Sequence, residues 1–76
     1  MNGEKNLTQL KIGEEASIAR IDTTDGKILK KLMALGVLPG MRVSLLQKFP
    51  SYVIKVGNTR IAADETIARS IIVIKK

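Results

Sequence analysis

The spacing of apolar residues changes along the chain, and each change predicts an element. Between Ile28 and Leu35, the residues Ile28, Leu29, Leu32, Met33 and Leu35 recur at intervals of three and four, the period of a helix with one apolar face. Gly36 suits a left-handed C-terminal cap, and Pro39 stands where a helix cannot continue. Pro39-Gly40 then fits the centre of a type II turn, proline presetting the first dihedral and glycine accepting positive φ at the second. From Met41 the period drops to two. Met41, Val43 and Leu45 alternate with Arg42, Ser44 and Leu46, which predicts a half-buried strand. Phe49-Pro50-Ser51 interrupts it, and Tyr52, Ile54 and Val56 resume the alternation against Val53 and Lys55. Gly57-Asn58 is a two-residue hairpin signal, with Thr59 to Ala63 as the returning strand.

The flanking segments are less regular. Leu7, Leu10 and Ile12 fit neither period, so an extended lead-in with its leucines against the core is expected, ending in a turn at Gly13-Glu14-Glu15. Ala16 to Asp22 reads as a strand in which Ile18 and Ile21 break the alternation, which a bulge accommodates. Thr24 or Asp25 can accept from the free N–H groups at the start of the helix. Asp64 is assigned the same role for a short helical turn to Ser70, with Ile67 and Ala68 facing inward, before Ile71 to Ile74 closes the domain as a buried strand. Residues 1–6 and 75–76 are expected to fray. The reading is one domain over 1–76, mainly β with one short helix and a helical turn. Short antiparallel strands with tight turns favour a small, bent, SH3-like barrel, because closure removes exposed edges.

Composition narrows the chemistry. A chain of 76 residues buries only about 60% of its unfolded surface, so it has room for a single modest core. It contains no cysteine and no histidine, which removes disulfides, thiolate and imidazole metal ligands, and the usual nucleophile–base pairs. Met1 to Lys5 leads into no apolar segment, and no apolar run approaches the roughly 18 residues of a membrane span, so a soluble domain is expected. No Walker A motif is present. The carboxylates Asp22, Asp25, Asp64 and Glu65 are scattered, and Asp64-Glu65 reads as a helix cap rather than a ligand pair, so neither a metal site nor a cofactor is expected.

Charge is more suggestive. The net charge is +6, yet no acidic residue lies between Asp25 and Asp64, an interval that holds Lys27, Lys30, Lys31, Arg42, Lys48, Lys55 and Arg60. Lys27, Lys30 and Lys31 form the wet face of the helix and are the first candidates for an acidic partner or an anionic membrane surface. Phe49 and Tyr52 are the only aromatic residues. Tyr52 is assigned to the core, whereas Phe49 suits either a core plug or an exposed partner anchor. Gly36, Pro39, Gly40 and Gly57 are read as backbone geometry, and Leu32, Leu35, Val43 and Val73 as core.

These residues together carry a resemblance. The chain resembles the FeoA family, the small ferrous iron transport A proteins, through Leu7, Leu10 and Gly13, then Ile18 and Ile21, then Leu32, Leu35 and Gly36, and Pro39, Gly40 and Val43. The pattern continues through Pro50, Gly57, Asp64 and Ala68 to Ile71 and Val73, which is nearly the whole chain. It departs at Lys30, Lys31 and Ala34, where the family often carries arginines and an acidic residue. The resemblance implies an SH3-like fold and a cytoplasmic accessory of ferrous iron transport, neither enzyme nor carrier. Such a protein would bind the cytoplasmic GTPase part of a membrane transporter and sit peripherally at the inner face of the membrane. Two other readings stand beside it. A small basic domain with a pI near 10.0 suits nucleic-acid or ribosome binding, although its aromatic poverty leaves few stacking platforms. The C-terminal domain of iron-dependent repressors also looks like the same fold, but this chain has no DNA-reading helix pair and no ligand histidine.

Overall fold

Caps and turns set the boundaries of every element. The computed structural model describes residues 3–75. Strand β1 (Glu4–Asn6) runs into a 3-10 turn, η1 (Leu7–Gln9), and is followed by β2 (Glu15–Ile21), helix α1 (Gly26–Ala34), β3 (Arg42–Gln47), β4 (Tyr52–Val56), β5 (Thr59–Ala63), helix α2 (Glu65–Ser70) and β6 (Ile71–Ile74). The six strands form one antiparallel sheet in the order β1-β6-β2-β3-β4-β5. The last strand in sequence therefore lies between the first two. Edge strands β1 and β5 do not pair with each other; α2, packed against η1, β1 and β5, fills the gap between them. The result is the mainly β, SH3-like architecture that the pattern predicts, closed on one side by a helix.

The two bulges keep the alternation in phase with the core. Between β2 and β6 the register moves from Ile18↔Val73 to Arg20↔Ile72, so Ala19 is the extra residue and both Ile18 and Ile21 reach the interior. A second irregularity at Leu46, between Leu45↔Ile54 and Gln47↔Val53, bends β3. Leu7, Leu10, Val37, Val43, Leu45, Ile54, Ile71 and Val73 form the fully buried centre, with Tyr52, Ile28 and Ile67 packed at its margin.

Four expectations need correction. The lead-in is a 3-10 turn rather than extended chain, because Asn6 Oδ1 accepts from the Thr8 N–H while Gln9 Oε1 accepts from the Asn6 N–H, each at 2.9 Å. Residues 4–6 are paired in a strand with Asn6↔Ile72 and Glu4↔Ile74, not frayed, and Lys75 is held by an ion pair to Glu14; Met1, Asn2 and Lys76 lie outside the described residues. Leu35 is 38% exposed rather than core, and Met33, expected on the inner face, is 49% exposed. The reason is the way α1 ends. The Gly36 N–H donates to the Met33 carbonyl at 3.0 Å and the Val37 N–H to the Leu32 carbonyl at 2.9 Å, a Schellman closure with Gly36 at φ +91°. That turn carries Val37 over Leu32 and into the core position assigned to Leu35.

Candidate docking surface

Helix α1 is anchored at both ends and attached by little in between. Asp25 Oδ1 accepts from the Lys27 N–H at 2.9 Å to start it, and the Gly36 closure ends it. Leu32 is its only fully buried side chain, with Ile28 packed beside the core. Its outer surface divides by helical spacing. Leu29 and Met33, four residues apart, share one flank; Lys27 and Lys31, also four apart, share the other; Lys30 lies on the crest between them. All three lysines are exposed, and none has a carboxylate within ion-pair distance among the described residues.

Exposed apolar residues also follow the helix. Leu38 and Met41 are exposed at the two ends of the turn around Pro39-Gly40, in which the Met41 N–H donates to the Leu38 carbonyl at 3.1 Å and Gly40 takes φ +92°. The turn is tied to the sheet, since the Gly40 N–H donates to the Ile18 carbonyl and the Ile18 N–H to the Met41 carbonyl. Met33, Leu35, Leu38 and Met41 are thus exposed apolar side chains on the basic helix, its cap and the turn that follows. Helical period alone puts Met33 and Leu35 inside, because it does not tell how far a short helix sinks into a sheet.

The other candidates fall elsewhere. Phe49 is 86% exposed in the connection between β3 and β4, outside α1 and the turn that follows it; its neighbour Lys48 reaches the Thr8 carbonyl of η1. The cations of the acid-free interval do not converge on one patch: Lys27, Lys30 and Lys31 lie on α1, whereas Arg42, Lys55 and Arg60 lie on strands β3, β4 and β5. Gly57, at φ +60°, makes the β4–β5 turn, and Asp64 Oδ1 accepts from the Ile67 N–H at 2.8 Å to start α2. Among the described residues no three acidic or otherwise ligating side chains come together, and no buried side-chain nitrogen or oxygen lacks a hydrogen-bond partner. What the surface offers is apolar contact bordered by positive charge.

The FeoA domain model matches residues 5–75. No curated protein matches the sequence. Among solved structures, iron(II) transport protein A from Clostridium thermocellum is 30% identical with a TM-score of 0.85, the match covering 93% of this chain and 45% of that one. FeoA from Stenotrophomonas maltophilia, solved in complex with zinc and described as an SH3 domain protein, is 24% identical with a TM-score of 0.81, covering 91% and 88%. A manganese-dependent transcriptional repressor, 18% identical, superposes with a TM-score of 0.89 over 100% of this chain and 44% of its own, a likeness of fold alone. This chain thus spans less than half of the Clostridium protein and of the repressor. A family model matched over all but the extreme ends, on the SH3-like fold of these structures, places the chain in the FeoA domain family.

Proposed function

We propose that this protein is an accessory of ferrous iron transport that docks on the cytoplasmic GTPase part of a membrane transporter through the outer face of α1 and the turn that follows it. The observation that carries the reading is the exposed set Met33, Leu35, Leu38 and Met41 beside Lys27, Lys30 and Lys31. Apolar side chains kept exposed by a fixed cap and turn cost the free protein hydration and are suited to burial against a partner. The adjacent lysines, without internal carboxylates, steer an acidic surface toward that patch. Phe49 offers a separate aromatic contact in the β3–β4 connection. Family membership supplies the transport context, and a transporter partner sets the location at the inner face of the membrane. Among the described residues no helix is long and apolar enough to cross a membrane, so attachment on this reading runs through the partner.

The test is binding of the purified protein to the transporter's cytoplasmic GTPase domain, followed by amide shifts. Shifts at residues 29–41 are expected, with a loss of about tenfold or more in affinity for Lys30→Glu combined with Lys31→Glu. Binding that ignores those changes, or shifts that avoid α1 and the turn, would overturn the reading. Binding to RNA with a steep salt dependence and none to the GTPase domain would favour the nucleic-acid alternative instead.

A further inference from the structure

The sheet carries a second charged feature, independent of α1. On the outward face of β2, β3, β4 and β5, Glu15 lies opposite Ser44, Ser44 opposite Lys55, and Lys55 opposite Arg60; one step along, Ser17 lies opposite Arg42. Side chains in register on one face are neighbours, and like charges set directly opposite repel. Lys55 and Arg60 are such a pair, and neither has a carboxylate within ion-pair distance among the described residues. Beside them is a depression of about 260 Å³ lined by Glu15, Arg42, Val43, Ser44, Lys55 and Gly57. The Arg42 guanidinium reaches Glu15 at 3.2 Å, but both side chains are more than half exposed, so this pair is weak and the guanidinium is free to turn.

We propose that this depression binds a phosphoryl group. Its polar lining is dominated by donors: a guanidinium that can fork two oxygens, an ammonium, and the half-buried Ser44 hydroxyl, with Arg60 reinforcing the positive field across the hairpin. Glu15 is the one opposing charge in the lining, set against Arg42 and Lys55 there and Arg60 across the hairpin. A group with oxygens on every side and two negative charges matches this set of donors, whereas a carboxylate side chain brings a single charge. Binding such an anion also relieves the repulsion between Lys55 and Arg60.

Two arms separate the sources of that group. In the first, the isotope-labelled protein is titrated with inorganic pyrophosphate at constant ionic strength; in the second, it is sedimented with phosphatidylglycerol–phosphatidylcholine vesicles. Saturable amide shifts at Ser44, Lys55 and Gly57 are expected. The double variant Lys55→Gln and Arg60→Gln should bind about tenfold more weakly. Lys30→Gln with Lys31→Gln, which removes the same net charge from α1, should leave the pyrophosphate affinity unchanged. Vesicle binding without pyrophosphate binding, with the same variant dependence, assigns the group to a lipid headgroup. No saturable binding in either arm, or equal weakening by both double variants, overturns the site.

Discussion

Glu14 shows how one side chain can close a small domain. Its carboxylate receives the Lys75 ammonium on one side and the Lys11 N–H at 2.8 Å on the other, and only 14% of the side chain is exposed. The hydrogen bond from Lys75 is the main reason its pKa falls from 4.5 to about 2, with the Lys11 N–H next. A carboxylate with a depressed folded pKa stabilises the fold above its ordinary pKa, and that contribution is lost as pH falls through the folded value. Glu14→Gln should therefore be less stable than the parent at pH 7, with the difference shrinking as pH drops from about 4.5 to about 2. Denaturant unfolding of both proteins at several pH values measures this. A difference that persists unchanged at pH 2 would remove the ion pair as its cause. The residue sits in a turn legible from Gly13-Glu14-Glu15, but Lys75 lies 61 positions away, and no local pattern announces a partner at that distance.

At the scale of the element, the sequence was most readable where backbone chemistry is local. The Gly36 closure, the Pro39-Gly40 turn, the Gly57-Asn58 hairpin and the caps Asp64 and Asp25, the latter one of two candidates with Thr24, depend on neighbours within a few residues. The 3-10 turn was equally local, its sign being Asn6 with Gln9 three residues on, a variant of the capping pair usually sought as serine or threonine with glutamate. The depth of α1 was not local. Which of its apolar residues are buried depends on the sheet beneath and on Val37 arriving from outside the helix. Leu32→Ala should accordingly cost about 3 kcal/mol, the penalty of emptying a packed site. Met33→Ala, in the same helix and of similar hydrophobicity, should change stability by no more than about 0.5 kcal/mol. Chemical denaturation of the pair decides this, and comparable losses would place Met33 in the core after all.

For the whole molecule, fold class followed from the order of periods and turns, whereas the distribution of charge did not follow from the acid-free interval. A run of cations continuous in sequence is divided by the fold between a helix and the exposed positions of strands β3, β4 and β5. The two proposed surfaces are therefore separable by mutation. Topology imposes a further condition. Because β6 is hydrogen-bonded to both β1 and β2, the short strand β1 joins the sheet only through the last strand. Deleting residues 71–75 should abolish the cooperative thermal transition, seen by circular dichroism; a sharp transition in the truncated protein would show that β1 and η1 are dispensable. The pairing of Glu4 with Ile74 has another side. The chain comes into the domain and leaves it at adjacent points of one sheet, so a host protein could accept the whole unit at a surface loop with hardly any change in the spacing of its own flanking residues.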